Sequence, residues 1–131
     1  MNEEPAAQLP GEQPTMRLPA QPTDTNASGD IFGGWIMSQV DLAGAIVASR
    51  RTKGRVVTVA VNAFQFHQPV YVGDLISCYA SVKKIGNTSI TIFVEVYAER
   101  YPERVECIKV TEATLTYVAI DENRKPRPVN Q

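Results

Sequence analysis

Histidine is nearly absent from this chain: His67 is the only one. Two-histidine metal motifs are therefore impossible, and a Ser-His-Asp relay would depend on that one residue being correctly placed. It stands in Phe66-His67-Gln68-Pro69, at the end of a strand-like run and away from the polar loop near residue 30, where a structural or exposed role is expected. Cysteine is almost as scarce. Cys78 and Cys107 have neither CxxC spacing nor histidine company, so they read as two buried, reduced thiols of a cytoplasmic protein and not as a metal or redox pair. No Walker loop, GxGxxG or GxSxG elbow occurs, and no metal or cofactor is expected. A strong charge is missing too: the formal net charge of -1 argues against nucleic acid or an anionic membrane as partner. The first residues include Glu3 and Glu4 and lack the basic start and apolar run of a secretion signal. The longest nearly uncharged stretch contains Gly33, Gly34, Ser38, Gln39 and Gly44, which makes it a poor membrane span.

What is present suits one domain: 131 residues can bury a core without disulfide staples. Residues 1–14 hold three prolines among polar residues and read as a disordered or loosely draped leader. Residues 121–131, with two prolines and three basic side chains, read as an extended tail, which leaves 15–120 as the folded domain. A helix is expected after Gly33-Gly34, running to about Arg50, where Arg50, Arg51, Lys53 and Gly54 supply a cationic last turn and a glycine stop. It is apolar nearly all round and must be wrapped by something. Strand-like runs follow at 55–64, 75–84, 89–98 and 105–120, with a break at Pro69-Val-Tyr-Val-Gly-Asp74 and a hairpin turn at Ile85-Gly86-Asn87-Thr88. One central helix and about four strands make an α+β fold, an antiparallel sheet curled around the helix. An exposed sheet edge and a helix too apolar for one small sheet to cover both point to self-association.

The feature that points to chemistry is Asp41, the only charged residue between Ile31 and Ser49. A carboxylate on so apolar a segment must reach water, find a partner or perform a task. The helix opens from Asp24-Thr-Asn26-Ala-Ser-Gly29-Asp30-Ile-Phe32-Gly33-Gly34, a polar, glycine-rich loop. Amides of a first helical turn have no internal partner, and glycines let a ligand approach them, so the loop is either simple turn chemistry or an oxyanion site. Asp41 lies seven residues beyond Gly34, roughly 10 Å along a helix, which is long within one chain and shorter if the aspartate of one subunit faces the glycine amides of another. The cations Arg50, Arg51, Lys53 and Arg55, with Lys83 and Lys84 further on, complement the helix dipole or hold phosphates.

The runs Asp24-Thr25-Asn26, Gly29-Asp30-Ile31-Phe32-Gly33-Gly34-Trp35, Met37-Ser38-Gln39-Val40-Asp41, Gly54-Arg55-Val56-Val57-Thr58-Val59 and Val72-Gly73-Asp74 together resemble the hotdog-fold acyl-CoA thioester hydrolases, most closely the short bacterial broad-range type. The resemblance covers about Met16 to Val118. It implies a hotdog fold in which two protomers share one continuous sheet, with homodimers often gathered into trimers of dimers. It implies active sites at the dimer interface, acyl-CoA as substrate and CoA as product. By the same resemblance, Asp41 acts as general base or nucleophile, Asn26 of the other subunit positions substrate or water, and the amide of Gly33 or Gly34 polarises the thioester carbonyl. Arg55 with Val56 and Val57, and the turn Gly86-Asn87-Thr88-Ser89, are placed near the CoA phosphates. One departure stands out: Gln68 occupies the place before Pro69 where a basic residue is expected, so no phosphate contact is expected there.

Two other functions fit parts of the pattern. A hotdog enoyl-CoA hydratase usually needs an aspartate paired with a histidine, and only His67 is available. A non-catalytic acyl-CoA sensor would use the basic cluster and the leader equally well.

Overall fold

The structure is a computed structural model describing residues 7–100 and 106–130. Its elements are β1 (Met16–Pro19), a short 3-10 turn (Pro22–Asp24), α1 (Gly33–Thr52), β2 (Val56–Phe66), β3 (Leu75–Ile85), β4 (Ser89–Arg100) and β5 (Glu106–Ala119). The strands form one antiparallel sheet in the order β1-β3-β4-β5-β2, and α1 lies against β2 to β5. This is the α+β arrangement of one helix and a curled antiparallel sheet that the pattern predicts, with a fifth strand added. β1 escapes a sequence reading because its four residues sit among prolines, and it exists only by pairing with β3, Met16 opposite Cys78 and Pro19 opposite Leu75. The run expected at 105–120 is β5, with Val105 outside the described residues.

The core forms where period-two strands meet the inner face of the helix. Ile90, Ile92, Val94 and Val96 alternate along β4 and are fully buried, against Ile36, Val40, Ala43 and Ala48 of α1. The sheet covers only one side of this all-round apolar helix. Leu42 remains 53% exposed, and Val59 on the edge strand β2 is 55% exposed, so both features that suggest self-association are found in the folded chain. Cys78 is buried, and burial pushes its thiol up to about 12; Cys107 is only half-buried, contrary to the expectation of two buried thiols, and both are free. Among the described residues no helix is long and apolar enough to cross a membrane.

Both ends differ in part from expectation. Residues 1–6 of the leader lie outside the described residues; residues 7–14 have no regular secondary structure, although the Ala7 amide donates to the Cys107 carbonyl at 3.1 Å. The tail does not extend away from the domain. Its described part folds back, with the Arg127 amide donating to the Ala119 carbonyl, the Val129 amide to the Asn87 carbonyl, and Val129 buried. One apolar side chain and one arginine outweigh the entropy of an otherwise polar end.

The glycine stop is also displaced. Lys53, not Gly54, takes the left-handed C-terminal position, at φ 57°, with its amide on the Ser49 carbonyl. Gly54 instead leaves room for Arg127: a Cβ there would lie 2.5 Å from its guanidinium, which would have to shift from where it donates to the Thr52 carbonyl at the helix end at 2.8 Å. A left-handed conformation is strained for any residue with a Cβ, so Lys53→Gly is expected to stabilise the fold by roughly 0.5–1 kcal/mol after glycine's greater chain entropy is subtracted. A higher urea midpoint at fixed protein concentration is the check; an unchanged midpoint means the strain is absorbed elsewhere.

Candidate active site

The polar loop before α1 is closed by its own asparagine. Asn26 Oδ1 accepts from the amides of Ser28 at 2.9 Å and Asp30 at 3.1 Å, while the Asn26 amide donates to the Asp30 carbonyl at 2.7 Å. With the oxygen committed to the loop, the amide nitrogen of the Asn26 side chain is the donor left to face outward. The Phe32 amide donates to the Asp24 carbonyl and the Ile31 amide to the Val70 carbonyl, which pins the loop to the turn at residues 69–74. The amides of Trp35 and Ile36 turn back onto the Phe32 carbonyl, whereas among the described residues the amides of Gly33 and Gly34 have no acceptor. Gly34 has open space where a side chain would be, and Gly33 is approached to 3.1 Å by the Phe66 ring, measured to an ideal Cβ. Two exposed amides at a helix start with no acidic residue in the first turn are ready to bind negative charge.

Chain return places other residues here. A 20-residue helix is about 30 Å long and an 11-residue strand spans about 36 Å, so β2 brings the chain back to where α1 began. Asn26, Asp30, Gly33, Phe66, His67 and Gln68 consequently line one cleft of about 360 Å³. His67 is exposed, but the expectation that it lies away from the signature loop is wrong: sequence distance from the loop is cancelled by the antiparallel return.

The turn beside this cleft is locked by a buried ion pair. Asp74, 3% exposed, accepts from the Tyr71 amide at 2.9 Å and from Arg100 Nε at 3.1 Å, while Arg100 also donates to the Pro69 carbonyl at 2.6 Å and lies 4.4 Å above the Tyr71 ring. Gly73 completes the turn at φ 89°. Asp74→Ala leaves the Tyr71 amide without its acceptor and the Arg100 guanidinium with only the Pro69 carbonyl and the Tyr71 ring, which is expected to destabilise the fold by about 2 kcal/mol. Urea unfolding at fixed protein concentration measures it, and a loss below about 1 kcal/mol would mean that solvent replaces the latch.

Asp41 occupies the middle of α1 and is half-buried. Its Oδ1 accepts from Thr58 Oγ1 at 2.7 Å and from the Tyr117 hydroxyl at 3.0 Å, and that same hydroxyl lies 2.8 Å from the Asp41 carbonyl oxygen. Thr58 and Tyr117 are directly opposed across β2 and β5, so the two hydroxyls converge by register, and the β2 ladder is irregular just beyond Thr58. Both donors are neutral. The carboxylate is oriented by hydrogen bonds, and among the described residues it forms no ion pair with a cation. Burial first, and then the Asp41 charge, push the Tyr117 phenol well above its ordinary range, so it remains a proton donor. Neither hydroxyl carries a sequence signal, because their meeting depends on the pairing of strands far apart in the chain.

The remaining candidates gather at the opposite end of the sheet. Val56 pairs with Ala119, Val57 and Ser89 both with Val118, and the Ala119 amide donates to the Thr88 carbonyl, which brings Arg55-Val57 and the Gly86-Ser89 turn to the same end of the sheet. Arg55 lines a cleft of about 450 Å³ with Lys53, Gly54 and Arg127, and with the acidic Asp121 and Glu122. Arg127 belongs to this cleft although it falls in the segment read as an extended tail. Within one chain, Asp41 and the Gly33-Gly34 amides stand about 10 Å apart along the helix, so these two half-sites do not meet.

Residues 28–103 match the family model of the thioesterase superfamily. The acyl-CoA thioester hydrolase YciA of Salmonella typhimurium is 50% identical over 116 residues, 87% of each chain. Among solved structures, a hexameric hotdog fold thioesterase of Campylobacter jejuni is 47% identical with a TM-score of 0.86, over 89% of this chain and 90% of that one. A hexameric thioesterase from Yersinia pestis is 49% identical with a TM-score of 0.85, over 92% and 97%. With one helix packed against a five-stranded antiparallel sheet and likeness of this extent, the chain has the hotdog fold and belongs to the thioesterase superfamily.

Proposed function

We propose that this protein is a cytoplasmic acyl-CoA thioesterase that hydrolyses acyl-CoA to a free carboxylic acid and CoA in sites shared between two subunits. The observation that carries the reading is Asp41: a half-buried carboxylate with one oxygen held by two hydroxyls and, among the described residues, no cation against it, in a chain whose helix starts with two exposed amides that have no acceptor among those residues. The edge strand β2, with Val59 and Val61 exposed, pairs with the same strand of a second chain to continue the sheet. Pairing sets Asp41 of one chain opposite Asn26, Gly33 and Gly34 of the other. Such dimers assemble further into a hexamer; the Campylobacter jejuni and Yersinia pestis relatives are hexameric.

In this site the thioester carbonyl oxygen accepts from the Gly33 or Gly34 amide, which stabilises the negative charge that develops on it. Asp41 takes a proton from water as the water oxygen attacks the carbonyl carbon, or attacks that carbon itself to give an anhydride that water then opens. In either route the carbon–sulfur bond breaks, the electron pair leaves on sulfur, and CoA departs as the thiol after taking up a proton. The Asn26 side-chain amide donates to the substrate or the attacking water. The CoA phosphates lie towards Arg55, Val56, Val57 and the turn Gly86, Asn87, Thr88 and Ser89 at the basic end of the sheet. Release of free thiol from a panel of acyl-CoAs, run beside a native mass measurement, tests both halves: a monomer, or an oligomer that binds acyl-CoA without releasing thiol, defeats the reading.

The position of His67 in the cleft favours a hydratase more than its sequence position does. Incubation with an enoyl-CoA distinguishes the two chemistries, because hydration consumes the double bond and leaves the thiol esterified.

A further inference from the structure

We propose that Gly44 and Tyr117 are a positioning pair for Asp41: the missing side chain at Gly44 is a slot through which the Tyr117 hydroxyl reaches the carboxylate and decides which of its oxygens faces the substrate. The inference rests on the assignment of Asp41 as base or nucleophile.

Asp41 and Gly44 are three residues apart and share a helix face. The Tyr117 ring rises from the inner face of β5, fully buried, and ends against that face. A Cβ on Gly44 would stand 2.3 Å from the phenol oxygen, 3.0 Å from Cζ and 3.1 Å from Cε2. No side chain fits there unless the ring moves. Gly44 has helical backbone geometry, so nothing in its own conformation calls for glycine, and a mid-helix glycine is less stable than alanine by about 0.5–1 kcal/mol. What glycine allows at this position is the approach of the phenol.

The consequence for Asp41 lies in the count of donors. The single phenol proton is shared between the Asp41 carbonyl and Oδ1, and Thr58 donates to the same Oδ1. Among the described residues Oδ2 accepts nothing. The phenol ties the carboxylate to the helix backbone, and the two hydroxyls together hold Oδ1, which leaves Oδ2 as the oxygen that takes a proton or attacks. Tyr117 and Gly44 act through Asp41 and need not touch the substrate.

Tyr117→Phe keeps the ring and removes the donor; Gly44→Ala keeps the donor and closes the slot. Each is expected to lower kcat for acyl-CoA hydrolysis about tenfold or more, the value of a hydrogen bond to a charged group, with KM nearly unchanged. The double variant is expected to be little worse than the poorer single, since both changes remove one interaction. Asp41→Asn, assayed in parallel, separates the levels of the argument. If Asp41→Asn is inactive while Tyr117→Phe retains the parent kcat, the positioning role is wrong and the catalytic reading stands. If Asp41→Asn is active, the catalytic reading itself fails. Loss of activity that tracks loss of helical circular dichroism or of native mass, or a double variant equal to the product of the singles, makes the pair a packing contact only and overturns the proposal.

Discussion

Asp41→Asn is expected to reduce thiol release from acyl-CoA by at least about 10²-fold, in kcat, with little change in KM. The amide keeps the shape of the carboxyl group and still offers an oxygen to Thr58 and Tyr117, so the hydrogen bonds that orient the side chain survive. What disappears is the negative charge and with it both the proton acceptor and the nucleophile. Because that charge is half-buried and no cation among the described residues cancels it, its removal is expected to leave the melting temperature unchanged or higher. A loss of activity without loss of stability identifies chemistry as the affected step. Activity at the parent level would remove Asp41 from the mechanism, and a large drop in melting temperature would show a structural role in its place.

Mixing two inactive chains is expected to restore turnover. Asp41→Asn and Asn26→Ala each disable both sites of a homodimer, but from opposite sides. In a mixed dimer, the Asn26→Ala chain supplies an intact Asp41 and the Asp41→Asn chain supplies an intact Asn26, so one of its two sites is complete. Statistical pairing of co-expressed chains makes half of the dimers mixed and returns about one quarter of the parent activity. The restored activity should keep the parent KM, because the rebuilt site is the parent site. If Asp41 and Asn26 of the same chain served one site, every mixture would stay as inactive as its components. The single-chain geometry motivates the test: Asp41 and the loop closed by Asn26 are separated along α1 by about two turns, beyond the reach of one carboxylate.

The two halves of the candidate site were legible to different degrees. Asp41 declares itself because a lone charge in an apolar run is conspicuous, and the glycine-opened loop because glycines and an asparagine before a helix follow turn chemistry. The cleft beside the loop, and the one at the opposite end of the sheet, were not legible. His67 reaches Asn26 only because the length of β2 matches the length of α1, and Arg127 reaches Arg55 only because the tail folds back over the helix end.

Sequence alone determined the class of fold, the single apolar helix, the alternating strands, the β3–β4 hairpin and the identity of the solitary acid, because each of these follows from neighbours within a few residues: periodicity, turn chemistry and local polarity. Tertiary structure alone decided that Thr58 and Tyr117 hold that acid, that Gly44 makes room for one of them, and that Lys53 and not Gly54 ends the helix. These depend on strand register and on distances between segments remote in the chain, which are set by packing the whole core at once.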